Sequence, residues 1–301
     1  MKYQKLTFED ISQKNILYYD KKVEEACFNI CDSLKIDNMP GYDSRHYYEL
    51  ENRAFQKKEI GSNVKLLTQQ RIFEEGLLDK FKNNKHNVLF VFKGEILNGI
   101  AHFSDYNQTK VLQAIQDDVL NFERRMRQYL FLKNYRNQDM IDYFHYRAEK
   151  YGQSKDFYLE RIRTLEKRTE EMNQLGEFQI FDLKDLLEFG NSRKNNKFFP
   201  SATLELNSSN YNEIYLVTGL RNVAMHGKNP VERDHQTSVY SIDSLQYMFT
   251  ALKVLDTFTH RIEKLINNHE DYQKSVMMDN RSKLEIIHQH HPKALNYFIG
   301  N

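Results

Sequence analysis

Cysteine occurs only twice in the 301-residue chain, at Cys27 and Cys31, and tryptophan not at all. The two cysteines stand four apart on an expected helix, a spacing that fits neither a zinc knuckle nor a redox C-x-x-C pair, so a reduced, cytoplasmic setting is expected. No window approaches the roughly 18 continuous apolar residues of a membrane span. The opening MKYQKLTFEDISQKN lacks the apolar centre of a secretory signal, which again points to the cytoplasm and away from a membrane. The net charge of +1 excludes a strongly basic nucleic-acid sponge, although a local basic stripe can still hold phosphates. A Walker motif, a Rossmann fingerprint and a nucleophile elbow are all missing.

What is present is a globular composition, 40% hydrophobic and 28% charged, with 19 tyrosines and 20 phenylalanines carrying much of the apolar content. The length suggests about two domains. In the first, Asn15 to Asp20 reads as a short strand. Val23, Cys27, Ile30 and Leu34 then recur at helical spacing until Met39-Pro40-Gly41 breaks the pattern. A second pass begins near Gly61, with VKLL, then a helix carrying Phe73, Leu77 and Phe81, a strand from Val88 to Phe92, a turn at Lys93-Gly94-Glu95 and a strand from Ile96 to Ala101. The order strand-helix-strand-strand, given twice, predicts an α/β module with internal duplication.

The segment VLFVFKGEILNGIAHFSDYN resembles the end of a CBS (cystathionine-β-synthase-type) domain, where a hairpin leads into a G-h-x-[ST]-x-x-D motif. Here the motif reads Gly99-Ile100-Ala101-His102-Phe103-Ser104-Asp105, with His102 standing where Ser or Thr is usual. The resemblance implies that Asp105, with His102 beside it, holds the ribose of an adenine nucleotide, a small regulatory ligand. The alternative is an Asp105 that caps free amides at the start of a helix.

From Thr109 the pattern changes to long amphipathic helices. Val111, Ile115, Val119, Phe122, Met126, Tyr129 and Leu130 follow one face of the first. Further helices are expected over Asp139 to Tyr151, over the charged run Lys155 to Leu175, and over the short Asp182 to Phe189. A polar, proline-containing connection follows from Gly190 to Pro200. Ile214, Val217, Leu220 and Ala224 define the next helix, which Gly227 and Pro230 stop. Leu245, Met248, Leu252, Leu255, Phe258 and Ile262 form the seam of a helix over Ile242 to Asn267, and the His- and Lys-rich end reads as peripheral. The expected organisation is α+β overall: an α/β CBS-like module over 1–108, an all-α bundle over 109–270 and a tail over 271–301.

At GLRNVAMHGKNP an Arg is followed by a polar residue and, within a few positions, by His, near the end of an apolar helix. Arg221, Asn222 and His226 in this setting resemble the HEPN (higher eukaryotes and prokaryotes nucleotide-binding) superfamily. The resemblance implies a helical bundle, a homodimer formed through this domain and a metal-independent endoribonuclease requiring no cofactor. It also makes Glu123 and Arg127, an i,i+4 pair on the opening helix, neighbours of the site.

The chemistry is coherent on its own terms. RNA is cut without metal when its 2′-hydroxyl attacks the adjacent phosphorus, given a base, an acid for the leaving 5′-oxygen and a cation for the charge that develops. Histidine serves either proton transfer near neutrality, and arginine offers a permanent fork to phosphate oxygens. Asn222 and His226 share a helix face, whereas Arg221 points about 100° away. One copy of the motif is therefore incomplete, and two copies across a twofold axis would bring two Arg and two His to one cleft.

The bland alternatives are an Arg221 paired with Glu213 or another carboxylate, and a His226 that caps the helix's last carbonyls. Lys228, Lys194, Lys197 and Arg233 flank the motif as candidate phosphate contacts. His288, His290 and His291 form no convincing metal set, and no metal site is expected. The functional expectation is an RNA-cleaving enzyme of stress, toxin or anti-phage type gated by a nucleotide. The alternative is a non-catalytic HEPN protein that binds RNA or a nucleotide.

Overall fold

The computed structural model describes residues 1–84, 87–150, 155–168, 177–190, 210–232 and 241–290. Over these the fold is mixed α+β, with two three-stranded sheets within residues 38–102 and helical elements after them. The chain divides into two compact units, Met1–Leu120 with Tyr211–Leu255, and Asn121–Asn210 with Asp256–Asn301. The two units part inside the long helix α4 (Thr109–Leu132) rather than at residue 108, and residues 211–255, expected with the helices, join the first unit.

In the first unit, α1 is the single turn Phe8–Ile11 and α2 spans Glu24–Leu34. Strands β1 (Asn38–Pro40), β2 (His46–Glu51) and β3 (Ala54–Glu59) make an antiparallel sheet, with Glu51 paired to Ala54 across a two-residue turn. Asn52 and Arg53 both take positive φ there (48° and 64°), as a tight turn matched to the strand twist demands. Cys27 and Cys31 of α2 bury against Tyr19 and Met39. The segment 15–20, expected as a strand, carries no ladder. Tyr19 donates its amide to the Pro40 carbonyl (2.9 Å), and Asp20 then turns the chain by accepting from the Lys22 amide (2.9 Å). An apolar run without a neighbouring strand has nothing to pair with, so it packs through its ring instead.

The second sheet follows the expected order closely. Strand β4 (Lys65–Leu67) runs parallel to β5 (Val88–Lys93), with α3 (Leu77–Lys82) in the crossover, and β5 turns back antiparallel into β6 (Ile96–His102). Leu89, Phe90, Val91 and Phe92 are all buried, so β5 is covered on both faces. The turn needs Gly94, whose φ is 62°. The expected internal duplication is not present: the first pass has no opening strand and forms an all-antiparallel sheet after α2, whereas the second pairs β4 and β5 in parallel.

Helix α8 (Asn210–Met225) and the beginning of α9 (Ile242–His290) complete the first unit. Ile214, Val217, Leu220 and Ala224 of α8 are buried, as are Leu245, Met248, Leu252 and Leu255 of α9, so both apolar seams face inward. Helix α9 does not stop near residue 267 but continues to His290.

The second unit is built from the rest of α4 with α5 (Asn137–Lys150), α6 (Lys155–Lys167), α7 (Leu183–Gly190) and the remainder of α9. Tyr143, Phe144, Tyr158, Phe181 and Phe189 fill its interior. Asp182 and Asp185 start α7 reciprocally, each carboxylate accepting the other's amide (3.0 and 3.2 Å), and Arg161 pairs with the buried Asp185. Lys194, Lys197 and Arg233 lie outside the described residues, as do the side chains of His288, His290 and His291.

Candidate functional site

The motif sits at the C-terminal end of α8 because a glycine ends that helix there. Gly227 takes φ 61°, and the Lys228 amide donates back to the Val223 carbonyl (3.0 Å), a left-handed closure that satisfies a carbonyl the helix would otherwise leave open. His226 is thereby fixed as the residue that caps the helix, its amide still bonded to the Asn222 carbonyl (3.1 Å).

Asn222, His226 and Lys228 are exposed, whereas Arg221 is half-buried. At about 100° per residue, Tyr215, Gly219, Asn222 and His226 fall within about 60° of one another on the side of α8 opposite its buried seam. Arg221 lies well around the helix from them. Helix geometry thus sets Asn222 and His226, both exposed, on one stripe, with the half-buried Arg221 around the helix from it.

Glu213, named as a partner for Arg221, lies two turns earlier. Its Oε2 is buried with no hydrogen-bond partner among the described residues, and burial raises its carboxyl above the usual range. Tyr215 and Tyr247, which the sequence reading passed over, flank the stripe at 43% and 44% exposure. The Tyr247 hydroxyl lies 3.5 Å from the Tyr215 carbonyl.

The loop after the motif is tied down by a residue from the far side of the sequence. Asn107 accepts the Val231 amide through Oδ1 (2.8 Å) and donates through Nδ2 to the Val231 carbonyl (2.9 Å), so one side chain answers both backbone groups. Ser241 donates its amide to the Glu232 carbonyl (2.9 Å), and Ser244 Oγ accepts from the Glu232 amide (3.1 Å), which closes the loop at the foot of α9. Neither contact has a local sequence signal.

His102 and Asp105 occupy the short 3-10 turn Phe103–Asn107 that follows β6. Asp105 is 8% exposed, and its Oδ2 accepts the His102 amide (2.8 Å) while Oδ1 accepts from Gln13 Nε2 (2.9 Å). His102 Nδ1 accepts the Ser104 amide (3.2 Å) and lies 2.7 Å from Ser104 Oγ. These bonds are those of a capped turn. Burial lifts the Asp105 carboxyl and lowers His102 to about 4. Gly99 serves the same contact, since a Cβ there would come within 2.7 Å of Ser12 Oγ and 3.2 Å of the Gln13 carbonyl. Both fixed residues of the CBS-like motif thus receive the segment Ser12–Gln13, and a ribose at Asp105 would have to displace Gln13.

Glu123 and Arg127 belong to the second unit. Arg127 pairs with Glu123 and donates to the carbonyls of Phe178 (3.1 Å) and Phe181 (3.0 Å), so it staples the turn before α7 to α4. Among the described residues no group of three or more His, Cys, Asp or Glu is placed to hold a metal ion, and no helix is long and apolar enough to cross a membrane. Comparison with protein-family models, curated proteins and solved structures finds no match for the chain.

Proposed function

We propose that the protein is a metal-independent endoribonuclease of HEPN type. On this reading residues 1–108 supply a CBS-like α/β module and residues 109–270 the HEPN helices, whose motif-bearing α8 packs in the same compact unit as the two sheets, and the protein acts as a homodimer. The observation that carries this reading is the end of α8, where an imidazole and an amide share an open stripe one turn apart and a guanidinium stands on the same two turns. His226 moves the proton of the attacking 2′-hydroxyl or of the leaving 5′-oxygen, Asn222 orients the imidazole or the phosphate, and Arg221 compensates the negative charge that grows on the phosphorane-like transition state. Because Arg221 projects away from His226, the Arg for one scissile phosphate comes from the second copy of the motif. Such an enzyme, cutting RNA in the cytoplasm, fits a stress, toxin or defence role; an adenine nucleotide acting as regulatory ligand at His102 and Asp105 would have to displace Gln13 from Asp105.

The test is a pair of substitutions in the full chain assayed on total RNA. Arg221→Ala and His226→Ala each abolish cleavage while circular dichroism and sedimentation remain those of the parent. Full cleavage by either variant rules the reading out.

A further inference from the structure

The open stripe of α8 contains a residue whose lack of a side chain is needed by a neighbour. A Cβ built on Gly219 would come within 2.5 Å of the Tyr247 hydroxyl, but only 3.5 Å from its Cζ and 3.8 Å from its Cε1. The phenol of Tyr247, carried by α9, thus lies directly across the backbone of α8 in a notch that glycine leaves. Tyr247 as a residue is 44% exposed. Asn222 follows about one turn further along the stripe, and His226 about 10 Å along the axis from Gly219. Tyr215, 43% exposed, stands one turn on the other side.

We infer that Tyr247, set in the Gly219 notch, is a stacking platform for a base of single-stranded RNA and so places the backbone over Asn222 and His226. An exposed aromatic face with polar and cationic groups in line with it is how unpaired bases are held: the ring takes the base without sequence preference, and the polar groups take the backbone. The stripe beyond the rings consists of Asn222 and His226, both exposed, and the exposed Lys228 follows just past the end of α8. That polar continuation favours a nucleic acid over a second protein surface, whose core would be apolar and depleted of charge. This inference names the substrate contact of the site proposed above and rests on that reading for the chemistry, but not for the binding.

Four full-length variants and one probe test it. The probe is a fluorescent 2′-O-methyl oligonucleotide, which cannot be cut by 2′-hydroxyl attack, followed by anisotropy. Tyr247→Ala weakens binding roughly 5- to 100-fold, the range found when a base loses one stacking partner. Tyr247→Phe binds as the parent does. Gly219→Ala pushes the phenol out of its notch and weakens binding, with thermal unfolding unchanged. The double variant Gly219→Ala with Tyr247→Phe restores affinity, because the atom nearest the new methyl is then a ring carbon at ordinary contact distance. The inference is overturned if the parent does not bind the probe or if Tyr247→Ala and Gly219→Ala bind with parental affinity. It is equally overturned if Tyr247→Ala alters self-association in sedimentation but not affinity. Cleavage of unmodified RNA, measured alongside, separates the two proposals: binding that depends on Tyr247 without any cleavage contradicts the nuclease and leaves the platform standing.

Discussion

Burial at the turn after β6 moves two ionisable residues in opposite directions, and His102 carries the clearer consequence. Its Nδ1 accepts the Ser104 amide and must be unprotonated to do so, which agrees with a ring held neutral down to about pH 4. An unfolded chain binds a proton at this position near pH 6.5, and the folded one does not until about pH 4. The stability that His102 contributes is therefore complete above about pH 6.5 and is lost as the pH falls towards 4, by on the order of 2–3 kcal/mol. His102→Asn keeps an acceptor for the Ser104 amide but does not titrate. Its denaturant midpoint, relative to the parent, should be nearly level at pH 7 and higher at pH 4.5. Equal midpoint differences at the two pH values would contradict the burial argument. Asp185 has the opposite sign: burial lifts it to about 6, so the stability tied to its protonated form is present at low pH and lost as the pH rises through 6. Asp185→Asn should gain relative to the parent between pH 4 and 7.

At the scale of elements, α8 and its loop carry the argument. Gly227→Ala places a methyl at a positive φ and should cost about 1 kcal/mol in urea unfolding. Asn107→Ala leaves both backbone groups of Val231 without their partner, and a loss of about 1–3 kcal/mol is expected. Faster hydrogen exchange at Val231 is the local check, and an unchanged exchange rate would show that the tether does not hold the loop.

The helices themselves were legible because their signal is periodic. The seam residues named on α4, α8 and α9 are buried, and the β5–β6 hairpin falls where Gly94 predicts it. The candidate residues Arg221, Asn222 and His226 are close in sequence at the end of α8, so 3.6 residues per turn is enough to set Arg221 around the helix from Asn222. What the sequence concealed depends on residues that meet only after folding. Gln13 reaches Asp105, Asn107 reaches Val231, and Tyr247 lies over Gly219, each pair far apart along the chain. The segment 15–20 misled for a related reason: its composition suits a strand, but a strand exists only with a partner. The continuation of α9 to His290 was missed because its described side chains after residue 270 are exposed and leave no apolar seam.

The whole molecule is assembled from discontinuous stretches of chain, each unit combining an early segment with a late one. The α8 motif consequently belongs to the same compact unit as both sheets, and Asn107 and Gln116 reach its immediate surroundings, the latter through a 3.6 Å contact from Nε2 to Met225 Sδ. On the proposed mechanism this unit works only when paired, because Arg221 and His226 of one copy face apart. The specific rate per chain should therefore fall on dilution in step with dissociation measured by sedimentation, whereas a rate independent of concentration in a monomeric sample would refute the shared site. The most direct measurement is the chemistry of the ends left on RNA cut by the purified protein in the presence of chelator. Attack by the 2′-hydroxyl predicts 2′,3′-cyclic phosphate and 5′-hydroxyl termini that vanish with His226→Ala. Intact RNA, or termini bearing 3′-hydroxyl and 5′-phosphate, would contradict it.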